Sequence, residues 1–174
     1  MPKSLLDFDL PDSAVTEGLG AALARAFPGA SAGAGVGAVL YLRGELGSGK
    51  TTCARSLLHA LGVTATVRSP TYTLVDTYTV GALNCVHVDL YRLRSWLEVE
   101  ELGLRDLTGP DSLMLIEWPE KGGDAVPHAD VDLQLRYAGE ARVASLSAVS
   151  AVGDRWLAKL ALDTSLVPYV SNLT

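Results

Sequence analysis

Apolar residues recur along the chain at spacings that change from strand to helix. Residues 38–42 (AVLYL) form a continuous apolar run and predict a buried strand. Residues 50–61 (KTTCARSLLHAL) carry apolar side chains at helical spacing, and Gly62 suits a helix C-cap. Residues 13–27 predict an earlier helix, because a proline lies close to each of its ends. Helices and strands that follow one another in this way favour an α/β fold.

The middle of the chain is rich in strand-forming residues. Residues 71–80 (TYTLVDTYTV) and 85–90 (CVHVDL) predict two strands, and the turn residues GALN between them predict a hairpin. Residues 95–98 (SWLE) have the pattern of a capping box and predict the start of a short helix that ends near Gly103. Residues 112–118 (SLMLIEW) predict a fully apolar strand that ends in an acid.

The C-terminal third predicts a further antiparallel pair of strands, at residues 131–137 and 141–149. Residues 155–162 predict a last amphipathic helix or strand. No internal repeat and no domain boundary is visible, so residues 1–163 are expected to form a single domain and residues 164–174 a tail.

Composition and charge narrow the function. The chain is 48% hydrophobic and 20% charged, which suffices for a buried core. Its net charge is −6 and no run of Lys and Arg occurs, so it is not expected to hold nucleic acid without a partner. Of the 14 Lys and Arg residues, 7 lie between Arg43 and Arg105, a bias that favours a small anionic ligand.

Cysteine usage and the N-terminal sequence favour a cytoplasmic protein. Cys53 and Cys85 form no C-x-x-C pair and are expected to be buried thiols. Three aspartates among the first twelve residues are unlike a signal peptide. The uncharged run at 26–42 is too weakly apolar for a membrane span.

The segment 44–52 (GELGSGKTT) fits the phosphate-loop pattern G-x-x-x-x-G-K-[ST] between a predicted strand and a predicted helix. Gly47 and Gly49 allow backbone N–H groups to turn toward phosphate oxygens. Lys50 would neutralise the β and γ oxygens of a nucleotide, and the Thr51 hydroxyl would ligate Mg²⁺. The motif predicts a P-loop NTPase-like three-layer sandwich with a mixed central sheet and a C-terminal antiparallel part.

Two acids at strand ends are candidates for the rest of a magnesium site. Glu117 follows four apolar residues and Asp89 ends CVHVD, and ligands of open α/β sheets bind beyond the carboxyl ends of strands. Glu117 is the preferred metal ligand, directly or through water, because its continuously apolar strand predicts a central position. Asp89 would then hold the metal shell or the attacking water. The alternative for each acid is an ordinary turn residue.

Aromatic residues and one histidine complete the list of candidates. His87 lies between two valines and is interpreted as an inward, hydrogen-bonded structural histidine rather than a catalytic base. Trp118 follows Glu117 and is expected to line the site, whereas Trp96 and Trp156 are expected in the core.

Motifs that are absent from the sequence restrict the nucleotide and the class of protein. No [NT]-K-x-D motif occurs, which disfavours GTP, and no L-S-G-G-Q run occurs, which argues against a transport cassette. Arg92 and Arg94 are candidates for an arginine finger, and a solvated strand end is the alternative.

Several blocks together resemble one family, the TsaE (YjeE) family of bacterial tRNA threonylcarbamoyladenosine biosynthesis ATPases. In chain order the blocks are GELGSGKTT at 44–52, SPTYTLV at 69–75, HVDLYRL at 87–93, ELGLRD at 101–106 and IEWPEKG at 116–122. The resemblance runs from about residue 12 to 150. VTEGLG at 15–20 resembles an early T-x-x-L-G of the family, in which Thr16 would touch nucleotide. The chain departs from the family in the loop 28–37 and in the tail.

The resemblance implies a weak, partner-dependent ATP hydrolase with ATP and Mg²⁺ as cofactors. It would support TsaD-like and TsaB-like subunits that place a threonylcarbamoyl group on adenosine 37 of tRNAs reading codons that start with A, and tRNA would be contacted only indirectly. The resemblance assigns catalysis to Lys50, Asp89 and Glu117, and the metal to Thr51 and Glu117. The residues expected to bind nucleotide are Thr16, Gly47, Ser48, Gly49, Lys50, Thr51, Thr52, Thr71 and Trp118.

The segment that begins at Ser69 is a candidate nucleotide switch. Pro70 biases Ser69 toward an extended backbone, which would bring the Ser69 and Thr71 hydroxyls near the γ-phosphate or Mg²⁺. The alternative is an ordinary turn whose hydroxyls satisfy local backbone groups.

Two other functions remain open from the residues alone. A small-molecule kinase would carry the same loop, but it usually needs a lid, and no lid-sized insertion lies between Gly62 and Glu117. A nucleotide-sensing adaptor would bind ATP without useful turnover.

Overall fold

The protein is built around a mixed seven-stranded sheet, as seen in a computed structural model that describes residues 5–31 and 33–171. The order of strands across the sheet is β1-β7-β6-β2-β5-β4-β3. The strands are β1 (Leu5–Leu10), β2 (Ala38–Arg43), β3 (Val75–Val80), β4 (Leu83–Asp89), β5 (Ser112–Glu117), β6 (Val131–Ala138) and β7 (Ala141–Ala148).

The four central strands, β6, β2, β5 and β4, run parallel, and antiparallel strands extend the sheet at both edges. The parallel register pairs Leu42 with Glu117 and Glu117 with Asp89, so the two candidate acids end neighbouring strands at the same sheet edge. This arrangement confirms the mixed sheet with an antiparallel C-terminal part. It also confirms that the strand of Glu117 lies between two parallel neighbours.

Helices cover both faces of the sheet, which gives three layers. The helices are α1 (Ser13–Ala26), α2 (Lys50–Leu61), α3 (Trp96–Glu101) and α4 (Ala151–Leu160). Helices α1, α2 and α4 pack on one face over a large core that includes Leu40 and Leu115. The other face holds a smaller core, with Ile116 from the sheet and Val99 from α3. Alternate residues of β5 therefore enter opposite cores, which is why that strand is apolar throughout.

Helix α1 is fixed by a local cap at its N-terminus and by contacts with α4 near its C-terminus. The Asp12 carboxylate caps it by accepting from the Val15 N–H at 2.9 Å. Trp156 of α4 is fully buried against Phe27, and its indole N–H donates to the Leu23 carbonyl at 2.9 Å. These contacts fix α1 in the helical layer that also contains α2, and the phosphate loop ends at the N-terminus of α2.

Several predictions about strand and turn boundaries, a helix cap and burial are wrong. The strand predicted from residue 71 begins at Val75, because 71–74 form a turn with Leu74 at φ +64°. The hairpin turn is shorter than GALN, since Leu83 already belongs to β4. The short helix α3 exists, but the Ser95 side chain makes no capping bond to it. Trp96, predicted to be in the core, is 54% exposed.

The C-terminal segment is a helix followed by a packed chain end. Helix α4 settles the choice between helix and strand for residues 155–162. A 3-10 helix, Thr164–Tyr169, buries Leu166, and Val170 forms an isolated bridge with Phe8 of β1. Residues 172–174 of the predicted tail lie outside the described residues, as does residue 32 of the 28–37 loop.

Across residues 5–31 and 33–171, the helices are too short or too polar to cross a bilayer.

Candidate functional site

The phosphate loop joins β2 to α2, and its backbone requires glycine. Gly44, Gly47 and Gly49 adopt φ values of +144°, +76° and +106°. A Cβ atom at Gly44 would lie 2.5 Å from both the Leu135 carbonyl oxygen and the Ser48 hydroxyl. Side chains at these positions would therefore strain or displace the loop. The loop leads directly into the N-terminus of α2, whose free N–H groups favour an anion.

Lys50 lies inside the loop rather than in solvent. The residue is 4% exposed, and its ammonium donates to the Gly44 and Glu45 carbonyls at 2.7 and 2.8 Å. The same nitrogen lies 4.2 Å from the centroid of the Trp118 ring. Burial lowers the pKa of Lys50, while the carboxylate of Glu117 opposes that shift. A nucleotide phosphate would offer this cation a charged partner in place of neutral carbonyls.

Thr51 and Glu117 meet at the start of α2. The Thr51 hydroxyl lies 2.9 and 3.0 Å from the two carboxylate oxygens of Glu117. Glu117 is 2% exposed, so its carboxylate is held inside the protein beside the loop. The predicted pair of metal ligands is thus brought together from residues 66 positions apart in the chain.

Asp89 occupies the neighbouring strand end and is held by two donors. The Ser69 hydroxyl donates to one carboxylate oxygen, and the Tyr91 N–H donates to the other at 2.9 Å. The Thr71 hydroxyl donates to the Ser69 carbonyl at 3.1 Å. The candidate switch segment is therefore connected to the second acid of the site.

His87 is buried and hydrogen-bonded, as predicted, but its partner was not foreseen. Its Nε2 lies 2.8 Å from Glu117 Oε1, and the ring has no exposed surface. The signal in the sequence is its spacing: His87 precedes Asp89 by two residues and so shares its side of β4. The proximity to Glu117 follows only once the register of β4 against β5 is known.

An open cleft of about 370 Å³ unites most of the predicted residues. Its lining includes Gly47, Gly49, Lys50, Thr51, Thr52, Thr71, Asp89, Glu117 and Trp118. An adjoining cavity of about 150 Å³ is lined by Thr16 and Ser48, and it shares the residues Gly47, Gly49 and Thr52 with the cleft. Each of the predicted site residues thus lines one of two adjoining cavities around the phosphate loop.

Aromatic and arginine side chains form the outer wall of the cleft. Trp118 adopts φ +59° and packs against Tyr91 with ring centroids 5.0 Å apart. The Arg92 guanidinium lies 4.8 Å from the centroid of the Tyr72 ring, and Arg92 lines the cleft. Arg94 is exposed and does not line the cleft, so of the two candidate arginine fingers only Arg92 lies at the site.

The β6–β7 hairpin contacts the tip of the phosphate loop, which the sequence did not predict. The Tyr137 hydroxyl donates to the Leu46 carbonyl at 2.7 Å, and the Arg142 guanidinium donates to the Gly47 carbonyl at 3.3 Å. The guanidinium also lies 3.9 Å from the centroid of the Tyr137 ring. Because these residues are about 90 positions from the loop, no local pattern could have revealed the contact.

The oxygen ligands offered by Thr51 and Glu117 suit a magnesium ion bound to nucleotide phosphates better than a metal bound by protein side chains alone. Among the described residues, no cluster of three or more His, Cys, Asp or Glu side chains could enclose a metal. Mg²⁺ in phosphate sites commonly takes one or two protein oxygens and completes its shell with phosphates and water. One hydroxyl and one buried carboxylate at the start of α2 match that requirement.

Comparison with known sequences gives a consistent result. A family model described as "Threonylcarbamoyl adenosine biosynthesis protein TsaE" matches residues 10–144. The tRNA threonylcarbamoyladenosine biosynthesis protein TsaE of Haemophilus influenzae is 44% identical over 115 residues, which cover 66% of this chain and 73% of that protein. The protein of the same name from Synechocystis is 37% identical over 125 residues, covering 70% of this chain and 74% of that protein.

The fold is also similar to a solved structure. The crystal structure of Bacillus subtilis YdiB matches with a TM-score of 0.72 at 25% identity, over 92% of this chain and 97% of that chain. The match extends beyond the phosphate loop to nearly the whole sheet and its helices. On the match of the family model and the identity to these relatives, the chain belongs to the TsaE family of threonylcarbamoyl adenosine biosynthesis proteins.

Proposed function

We propose that this protein is an ATPase that binds ATP and Mg²⁺ and supports threonylcarbamoylation of adenosine 37 in tRNAs reading codons that start with A. The observation that carries the ATPase proposal is the contact of the Thr51 hydroxyl with both oxygens of the buried Glu117, beside the ammonium of Lys50. Membership of the TsaE family supports the place in tRNA modification.

Each residue of the cleft has a distinct task in this proposal. The N–H groups of the loop and the start of α2 bind phosphate oxygens, and Lys50 neutralises the charge on the β and γ groups. Thr51 and Glu117 would hold Mg²⁺, which would supply positive charge to offset the negative charge of the phosphates during hydrolysis. Asp89, held by Ser69 and Tyr91, orients the attacking water and accepts hydrogen bonds from it.

The two cavities suggest how the nucleotide lies along the loop. The larger cleft contains the groups expected around the γ-phosphate, namely Lys50, Glu117 and Asp89. The smaller cavity lacks them but shares Thr52 and loop glycines with the cleft, so we place the nucleoside there, beside Thr16 and Arg142.

The partners are proposed to be TsaD-like and TsaB-like subunits that carry out the transfer. The net charge of −6 agrees with a protein that leaves tRNA binding to other subunits. Hydrolysis would be weak in the isolated chain and would rise in the complex, where it resets or licenses the transferase. The proposed location is the cytoplasm, where tRNA and these partners act.

The ATPase proposal is tested by the rate of phosphate release over a Mg²⁺ titration, with both partners present. Glu117→Gln keeps the shape of the side chain but removes the charge that holds the metal, so hydrolysis should fall strongly while folding is retained. Glu120→Gln is the matched control, because that acid lies at the same end of the sheet but is exposed and pairs with Arg43. Equal hydrolysis in wild type and Glu117→Gln would contradict the metal assignment.

The cellular role is tested by depleting the protein and analysing the nucleosides of bulk tRNA. Loss of threonylcarbamoyladenosine, restored by the wild-type gene but not by the Glu117→Gln gene, is expected. Unchanged threonylcarbamoyladenosine after depletion would contradict the proposed role. A labelled organic phosphate formed from ATP and cell metabolites would instead favour a small-molecule kinase.

A further inference from the structure

His87 is a polar residue placed where a strand would ordinarily carry an apolar one. It lies between Val86 and Val88 on β4 and is completely buried. Its Nε2 lies 2.8 Å from Glu117 Oε1. Within the described residues, its Nδ1 has no hydrogen-bond partner. Burying an imidazole with one of its two nitrogens unpaired costs free energy, so packing alone is a poor reason for a histidine here.

The unpaired nitrogen determines which tautomer fits the structure. A proton on Nδ1 would leave a buried N–H group unsatisfied, which is rarer in proteins than an unsatisfied acceptor. With its proton on Nε2, the ring donates to Glu117 Oε1 and leaves only a lone pair unpaired. His87 is then a fixed hydrogen-bond donor to the carboxylate.

His87 and Thr51 differ in what they can do for Glu117. Thr51 lies at the start of α2 and is itself proposed as a metal ligand, so its hydroxyl oxygen must also face the ion. Its single proton is shared between two carboxylate oxygens at 2.9 and 3.0 Å. His87 lies on a central parallel strand that pairs with β5. Among the described residues, the ring of His87 makes no hydrogen bond other than the one to Glu117.

We propose that His87 is a positioning residue, whose Nε2–H holds the Glu117 carboxylate in the orientation that receives Mg²⁺. This inference rests on the proposed function, because it assumes that Glu117 ligates the metal. Hydrogen bonds of this kind to metal ligands fix the ligand's orientation, and their loss typically costs about 10- to 100-fold in metal affinity.

Two polar substitutions distinguish positioning from packing. The amide nitrogen of Gln can occupy the place of histidine Nε2, whereas the shorter Asn carries its amide at the place of Nδ1. His87→Gln therefore keeps a donor for Glu117, and His87→Asn does not. His87→Leu removes the donor altogether while filling the apolar environment. Thermal unfolding and circular dichroism identify the variants that are folded.

The readout is the affinity for Mn²⁺ of the protein saturated with ADP, measured by electron paramagnetic resonance. We expect His87→Asn and His87→Leu to weaken Mn²⁺ binding by about 10- to 100-fold, and His87→Gln to stay close to wild type. The affinity for ADP in the presence of a chelator should be the same in all four proteins. Equal Mn²⁺ affinity in Asn and Gln variants, or a uniform loss of metal-free ADP binding, would overturn the positioning role.

A measurement on the wild type keeps the inference testable even if a variant fails to fold. Long-range ¹H–¹⁵N correlation spectra report which ring nitrogen of each of the 3 histidines carries the proton. His87 is expected as the Nε2–H tautomer, and an Nδ1–H tautomer would overturn the inference. If wild-type protein with ADP binds no Mn²⁺, the proposed metal site fails as well. If it binds Mn²⁺ but the variants match it, only the role of His87 fails.

Discussion

Lys50 combines a positive charge with deep burial. Burial lowers its pKa, and the carboxylates of Glu117, Asp89 and Glu120 act in the opposite direction. A bound phosphate would raise the pKa of Lys50 again, so nucleotide binding should take up a proton between the two pKa values. Affinity is then greatest where Lys50 is already charged in the free protein. It should fall as the pH rises through the lowered pKa, starting below the ordinary 10.5 of lysine.

This prediction is checked by calorimetric titration with ADP at a series of pH values from neutral to alkaline. Between the pKa of Lys50 in the free protein and its pKa in the complex, the affinity for ADP should fall by close to tenfold per pH unit. Lys50→Ala should bind about 10- to 100-fold more weakly, since hydrogen bonds to charged groups contribute about 1.5–3 kcal/mol, and should lack this slope. Lys159→Ala, at an exposed position of α4, is the control and should behave as wild type. Equal affinity of Lys50→Ala and wild type would contradict the loop assignment.

At the residue scale, the sequence predicts the residues that belong to a local motif. It predicts few of the contacts that depend on the register between strands. Lys50 and Thr51 follow from the loop pattern, and both acids follow from their position at strand ends. The contact of His87 with Glu117 could not be predicted, because it depends on which residues of β4 and β5 lie side by side. Trp96 was misplaced since aromatic size favours burial, whereas short helix α3 leaves one side in solvent.

At the element scale, the segment 69–74 connects the cleft to the protein surface. Thr71→Ala removes the hydrogen bond to the Ser69 carbonyl and loosens the turn that holds the Ser69 hydroxyl on Asp89. We expect ATP affinity of the isolated chain to change little and partner-stimulated phosphate release to be lost. Thr73→Ala is the matched control, because its hydroxyl bonds Asp76 outside the cleft. Stimulation at the wild-type level in Thr71→Ala would show that the segment is only a structural turn.

The β6–β7 hairpin gives a second prediction at this scale. Tyr137→Phe removes the hydroxyl that holds the Leu46 carbonyl at the tip of the phosphate loop. One such bond contributes about 0.5–1.5 kcal/mol, so ADP affinity should fall by about 2- to 10-fold. Tyr78→Phe on β3 is the control and should bind ADP as wild type does. Unchanged affinity in Tyr137→Phe would mean that the loop keeps its shape without the hairpin.

Helices and strands were predicted correctly where apolar residues follow a single periodicity along the segment. Helices α1 and α2 and the β6–β7 pair were found because periodicity, caps and turns agree. The sequence predicts a strand at residues 71–74 because Thr and Tyr favour strands, yet Leu74 adopts φ +64° and its carbonyl accepts from the Asp89 N–H at 3.0 Å. A tertiary contact near the acid thus overrides local propensity.

At the scale of the whole molecule, the reactivity of the two buried cysteines tests whether the core is closely packed. Burial raises the pKa of Cys53 to about 12 and that of Cys85 to about 11, and neither thiol is exposed. Because the thiolate is the reactive form, we expect no labelling by a thiol reagent at pH 8 in the folded protein and full labelling after unfolding. Thr79→Cys, on an exposed position of β3, should add one rapidly labelled thiol. Rapid labelling of the native protein would contradict this close packing.

The most direct test is reconstitution of the modification with purified TsaD-like and TsaB-like subunits, tRNA, a threonylcarbamoyl donor, ATP and Mg²⁺. The amount of threonylcarbamoyladenosine formed is measured with no added chain, with wild type and with Glu117→Gln. We predict sustained formation with wild type only, because the proposed function assigns to Thr51 and Glu117 the binding of the Mg²⁺ that hydrolysis requires. Equal formation without the chain, or with Glu117→Gln, would contradict a role for ATP hydrolysis by this protein in the modification.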